Sequence, residues 1–324
     1  SEAEPPRALV KITPGRRFVL GEAAIAWQGE QPDGDSAAAA TRALDLSPGS
    51  PGRAGDVVAA EGRVVATLQD RGYADVVSEP REVIVDHADG TVRPTYRIAA
   101  GRLVRLGGLD ITEGVRTRSA WVGGLAPWTA GETYDPKDVA ELERRLLDTG
   151  VYDSVAVGLA PPEKTTAEGL RPVVVSIAER AGRTIEGGAS YDTADGIGVN
   201  VRWTHYNRLR RADTSALFGQ VSTRDSRAGA ELSLPHWRRP QQTLKTTAQA
   251  YRLRTDAFDE EGVGVEVDVT RRYGRTSYVT AGASLDYGQT EELRAGTLTT
   301  LGRDLITIGT LADVTDQRTA QERM

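Results

Sequence analysis

Cysteine is absent from the chain, so it can build no disulfide, thiolate nucleophile or zinc–thiolate site. The absence fixes no compartment, since periplasmic proteins often lack disulfides. Phenylalanine occurs 3 times and methionine once, against 35 glycines in 324 residues. That balance favours turns and small side chains, hence β structure. Long apolar runs are also lacking: none approaches the roughly 18 residues of a membrane helix, and Ser1 opens no signal-peptide pattern. A membrane role would therefore run through a β-barrel, whose alternating strands average to a moderate hydropathy, and the chain would be a mature or shortened form. There is no excess of base to suggest nucleic acid. The formal charge is -6, with nearly all the surplus acid before about residue 180 and a roughly neutral second half.

What is present is ordinary for folded protein, with 39% hydrophobic and 27% charged residues. The length suits two or three domains at about 100 to 200 residues each. An internal repeat organises the first half. Pro14 to Gly21 is echoed by Ala100 to Gly107, a period near 86 residues, with Ile25 and Ile111 at matching distances. Leu68, Asp70, Gly72, Asp75 and Val77 are echoed by Leu146, Asp148, Gly150, Asp153 and Val155. In the second copy Asp135 is placed to cap a helix, Pro136 suits its first position, and Asp138 favours its positive end. Val139, Leu142 and Leu146 form an apolar stripe, Glu141 and Arg145 pair at helical spacing, and Gly150 suits the left-handed residue past an end near Thr149. Val151 to Leu159 and Val173 to Ile177 read as strands around a polar turn. Each copy thus reads strand, helices, strand, strand, a small α+β unit that by itself fixes no function.

From about Thr184 the period changes to two, which places alternate side chains on opposite faces of a sheet. Val199, Val201 and Trp203 alternate with Asn200, Arg202 and Thr204. Val263, Val265, Val267 and Val269 alternate with Gly264, Glu266, Asp268 and Thr270. Turn clusters at 192–196, 208–213, 224–227, 235–240, 256–262 and 274–275 divide the region into about eight strands of roughly 8 to 12 residues. A soluble sandwich would alternate too, although its strands average about 5 to 6 residues. The small apolar face favours lipid, and Arg and Glu on the polar face suit a water-filled lumen.

The stretch Leu125 to Pro136, followed by Leu146 to Val155, resembles the barrel-proximal POTRA module of the TamA family, the autotransporter-assembly branch of the BamA-type POTRA-plus-barrel superfamily. Val175 to Arg180, Gly187-Gly188 and Tyr191 resemble the crossing into that family's first barrel strand. The resemblance covers nearly the whole chain. It implies the fold class of α+β POTRA modules followed by part of an antiparallel transmembrane β-barrel: the tail of a preceding module at 1–17, a module at 18–100, a barrel-proximal module at 101–180, and the N-terminal part of a 16-stranded barrel at 181–324. The chain would then begin inside the periplasmic part and end after about half the strands. The turn Asn207 to Asp213 departs from the family, which usually has glycine there, and this puts the loop's conformation in question.

The resemblance further implies an outer-membrane location with periplasmic modules, no enzyme activity and no cofactor. Its partners would be unfolded outer-membrane clients such as autotransporters, outer-membrane lipid and an inner-membrane-anchored TamB-like protein, with no nucleic acid. Two-partner secretion and a soluble periplasmic scaffold are the alternatives. For catalysis only His87, His205 and His236 are on offer, each without an activating partner in sequence. Glu260, Glu261, Glu291 and Glu292 read as solvated loop acids, and Gly196-Ile197-Gly198 lacks the lysine and helix of a phosphate loop. Trp203, Trp237, Tyr251, Tyr273, Tyr278 and Tyr287 are candidate interfacial anchors. An open strand edge can accept an extended polypeptide through backbone bonds alone. The candidate edges are the first barrel strand (Thr184, Ile185, Glu186, Gly187, Gly188, Ala189, Ser190 and Tyr191) and a module edge at Val151, Tyr152, Val155 and Val157. Gly187 and Gly188 contribute little packing and would ease opening of the first.

Overall fold

A computed structural model describes residues 16–192, 196–255, 257–274, 276–292 and 301–308. Of the proposed module tail at 1–17, residues 1–15 lie outside them. The chain packs as two compact units. One holds the residues up to Gly107 with Thr129–Asp138 and Thr165–Arg171, and the other holds Gly108–Trp128, Val139–Lys164 and the chain from Pro172.

In the first unit β1 (Val19–Leu20) and β2 (Ala24–Trp27) pair in parallel with β4 (Thr91–Ala99), and β3 (Val77–Asp86) pairs antiparallel with it. Helices α1 (Gly34–Ala43) and α2 (Ala54–Gln69) lie between β2 and β3 in sequence. The Asp33 carboxylate accepts the Ser36 N–H at 2.9 Å and starts α1. Val57, Ala60, Val64 and Leu68 repeat at helical spacing on α2, and all are buried with Leu20, Tyr96 and Ile98. The Arg171 guanidinium, 7% exposed, reaches Asp75 at 2.6 Å within the same unit.

The second repeat contributes β5 (Arg105–Ile111), α3 (Ser119–Gly123), α4 (Pro136–Leu147), β6 (Tyr152–Leu159) and β7 (Leu170–Glu179), with sheet order β5-β7-β6. Asp135 caps α4 through the Lys137 N–H at 2.8 Å. Val139, Leu142 and Leu146 are buried, and Glu141 pairs with both Arg144 and Arg145. The echo between the repeats is physical: Leu68 and Leu146 are both fully buried in the last helical turn, and Gly72 and Gly150 both take positive φ past it.

Beyond it one eight-stranded antiparallel sheet runs in chain order through β8 (Arg183–Asp192), β9 (Gly196–Tyr206), β10 (Thr214–Ser222), β11 (Asp225–Leu234), β12 (Gln242–Arg254), β13 (Phe258–Tyr273), β14 (Ser277–Glu292) and β15 (Leu301–Ile308). Its register aligns Val201, Gly219, Ala228, Ala250, Val263 and Tyr287 across one face. Among the described residues no second sheet covers that face. Val201 is 52% exposed and Val263 55%, where a sandwich would bury both. β13 and β14 reach 16 residues each, longer than the alternation suggested. Glu260, Glu261, Glu291 and Glu292 accordingly belong to strands, not loops: Asp259 lies opposite Glu291 and Glu261 opposite Gln289, so the ladder continues through the charged stretch.

Candidate strand-binding site

Among the described residues β8 lies at the edge of the eight-stranded sheet and pairs with β9 alone, which places Thr184 to Tyr191 along that edge. Parity decides what that edge offers. Tyr206 N–H donates to the Gly182 carbonyl at 2.9 Å, which makes this a hydrogen-bonded pair. Even-numbered β8 residues therefore bond to β9, and Ile185, Gly187, Ala189 and Tyr191 turn their N–H and C=O groups outward. Their side chains share the apolar face with Trp203, Val201 and Val199, and Ile185 and Tyr191 are both 77% exposed. Glu186, Gly188 and Ser190 lie on the polar face opposite Arg202, Asn200 and Gly198. A Cβ on Gly188 would meet Asn200 Oδ1 at 2.7 Å, while Gly187 has only a backbone oxygen at 3.7 Å. The Thr184 hydroxyl is buried with no partner among the described residues.

The module edge needs correction. β6 is at the edge of its sheet, but Val151 precedes the strand and Val151 and Tyr152 are both buried, which removes them from any open surface. Ala160 N–H donates to the Pro172 carbonyl, so Val155, Val157 and Leu159 face outward by parity. The Val157 N–H is already taken by Glu143 at 3.0 Å. A second edge escaped the sequence reading. β3 pairs only with β4 among the described residues, and its Val77, Ile84 and Val85 are exposed. The signal was present as Val83-Ile84-Val85 before the turn at Asp86 to Gly90.

Three residues after β7, the chain enters β8, and a polar cluster braces the crossing. Thr117 donates both its N–H, at 2.9 Å, and its hydroxyl, at 2.7 Å, to Glu179 Oε1. With the Thr117 hydrogen so used, the Tyr152 hydroxyl 2.9 Å away must donate to it. Asn207 Nδ2 donates to Thr117 Oγ1 at 2.7 Å and to Glu179 at 2.8 Å, while its Oδ1 accepts the Ala212 N–H at 2.9 Å. The Arg116 side chain bonds the other Glu179 oxygen and the Arg180 carbonyl. Burial by itself would raise the Glu179 carboxyl, but the bonds from Thr117 and Arg116 outweigh it and hold it below its ordinary value. Burial pushes the Tyr152 phenol up to about 12.

The turn without glycine is thereby explained. Asn207, Arg210 and Ala212 all take positive φ, at 56°, 60° and 54°. Backbone closure from Asn207 N–H to the Asp213 carbonyl and the Leu209 N–H on Asp213 Oδ1 offset that strain.

The histidines serve the framework. His236 Nδ1 accepts the Gln241 N–H at 2.8 Å, so Nε2 carries the hydrogen donated to the Arg145 carbonyl, and burial lowers its pKa. His87 packs edge-on to Phe18, and His205 lies near Trp203. Trp203, Tyr273 and Tyr287 fall on the apolar face and Trp237 in the β11–β12 turn. Tyr251 and Tyr278 fall on the polar face, against expectation. Tyr251 lies against Gly262, where a Cβ would come within 2.8 Å of its hydroxyl, and it donates to Glu260 at 3.1 Å.

No protein-family model matches the chain. Among solved structures, BamA from Haemophilus ducreyi lacking POTRA domains 1–3 matches with a TM-score of 0.68 and 17% identity, over 84% of this chain and 51% of that one. CdiB from Escherichia coli matches at 0.49 and 16%, over 91% of this chain and 55% of its own. POTRA3–5 of Haemophilus influenzae BamA matches at 0.41 and 21%, over 50% and 61%. The chain spans about half the length of the BamA structure it matches. The strand order, the repeated α+β units and the match to that BamA structure together give the fold: POTRA modules joined to part of a BamA-type antiparallel β-barrel.

Proposed function

We propose that this chain belongs to an outer-membrane assembly factor, with its modules in the periplasm and its sheet in the bilayer, that helps other barrel proteins insert by offering β8 as a template. The observation that supports this reading is the place of β8 at the edge of the sheet that the described residues form, beside an apolar face they leave uncovered. Ile185, Gly187, Ala189 and Tyr191 present donors and acceptors outward, so an incoming strand can add without its sequence being read. Unfolded outer-membrane proteins, autotransporters among them, are the clients on this reading, and a TamB-like inner-membrane protein is the expected partner. The proposal assigns no enzyme activity and no cofactor. A soluble scaffold fits poorly with the exposed valine face.

The chain has no cysteine of its own, so single cysteines at Glu186, Gly188 or Ser190 of the intact protein give clean probes against this background. During assembly of an autotransporter they should crosslink to a terminal client strand in one fixed register, while a probe at Val265 in mid-sheet should not. Equal crosslinking at Val265, or crosslinks only to the modules, would make the barrel a passive anchor.

A further inference from the structure

The turns from β9 to β10 and from β11 to β12 lie at the end of the sheet where β8 begins, and with α3 they line a cleft. Its rim carries Arg118, Arg208, Arg210, Arg211 and Arg238, all exposed. None forms an ion pair among the described residues, unlike Arg116, Arg144 and Arg145 nearby. Five uncompensated guanidiniums around one concavity repel one another and attract an anion.

The cleft is preformed. Arg118 N–H donates to the Arg210 carbonyl at 3.0 Å, which fixes α3 against the first turn. His236, held between Gln241 and the Arg145 carbonyl, fixes the second. The Arg238 guanidinium lies 4.6 Å over the Trp237 ring, leaving its N–H edge free for a bidentate acceptor.

The other lining is apolar. Trp121 and Trp237 are half-buried, and Leu234 shares the parity of Ala228, Ala230 and Leu232, so the cleft opens towards the uncovered apolar face. A basic rim with tryptophans beside a lipid-facing surface matches an amphiphile with an acidic head at a membrane interface. We propose that the cleft between α3 and these two turns binds the headgroup of an anionic phospholipid from the periplasm-facing leaflet, its acyl chains running along the apolar face beside Leu234. This inference rests on the membrane reading of the sheet and goes beyond it.

The test uses the intact protein in detergent, with lipid retention read by native mass spectrometry. Short-chain phosphatidylglycerol should bind at least about tenfold tighter than phosphatidylcholine of equal chain length, and R211Q/R238Q should abolish that preference without altering phosphatidylcholine binding. R211K/R238K, which keeps the charge, should retain most of it, and R252Q/R254Q at the opposite end of β12 should retain all of it. Equal retention of the two lipids by folded protein overturns the proposal. So does displacement by equimolar inorganic phosphate, which would mark a simple anion site, or by a glutamate-rich peptide, which would mark a protein-docking site. Heat-modifiable gel migration reports folding in every arm. A sheet that stays soluble and monomeric without detergent would overturn the membrane reading instead.

Discussion

Ala189 and Ser190 are neighbours with opposite backbone duties, and a proline at each separates them. Ala189 N–H points to the open edge, whereas Ser190 N–H belongs to the hydrogen-bonded pair with Gly198. Proline removes one donor and is tolerated in a sheet only where that donor faces outward. Ala189→Pro should lower client crosslinking at Glu186 while changing barrel stability by less than about 1 kcal/mol; Ser190→Pro should cost more than about 1 kcal/mol by leaving the Gly198 carbonyl unpaired. Reversible unfolding combined with crosslinking yield checks both. If Ala189→Pro leaves client capture intact, pairing at this edge is not how clients are held. The alternation made the faces of β8 legible in sequence. Which backbone groups point outward was not, because that depends on the β9 register.

Among the elements, helix α4 was legible to within two residues, because its cap, apolar stripe and terminal glycine are all local. The Asn207 turn was not, since the groups that hold it, Thr117 and Glu179, lie 90 and 28 residues away. The occupation of the β6 edge by Glu143, 14 residues from Val157, was hidden because it depends on how α4 packs beside β6. The β7 to β8 crossing has a pH dependence that follows from Glu179. Its folded pKa is depressed below the unfolded value of about 4.3, so its contribution is fully present above that value and is lost as pH falls through the lower folded one. Protection of the Thr117 amide, which donates to Glu179, should therefore hold from neutral pH to about 5 and fall at more acidic pH. Hydrogen exchange corrected for intrinsic rate measures this. Glu179→Gln should start less protected and lose the acid step; an acid step of unchanged size in that variant would assign it to another carboxylate.

For the whole molecule, the deciding property is an eight-stranded sheet with one continuous apolar face that the described residues leave uncovered. Val265 lies on that face between Ala248 and Leu285, and Glu266 lies on the other between Thr247 and Ser284. Both positions are in the middle of β13, so they share the same depth and differ only in side. Arginine on a lipid face at mid-membrane costs about 2 to 4 kcal/mol, because the guanidinium loses its hydration to hydrocarbon. On the polar face it meets Asp268, Asp286 and water, and its cost should be small. Val265→Arg should therefore destabilise the intact protein in bilayers by about 2 to 4 kcal/mol, and Glu266→Arg by under about 1 kcal/mol. Moving the same pair of substitutions along β13, to Val269 and Thr270 nearer the module end, should shrink the difference, because an interface hydrates the charge again. A water-exposed sheet would give two small and equal effects. A sandwich core would give a large cost at Val265 with no decline towards the strand end. The depth dependence therefore distinguishes lipid from both alternatives, and reversible unfolding in vesicles with natural outer-membrane thickness is the measurement that reads it.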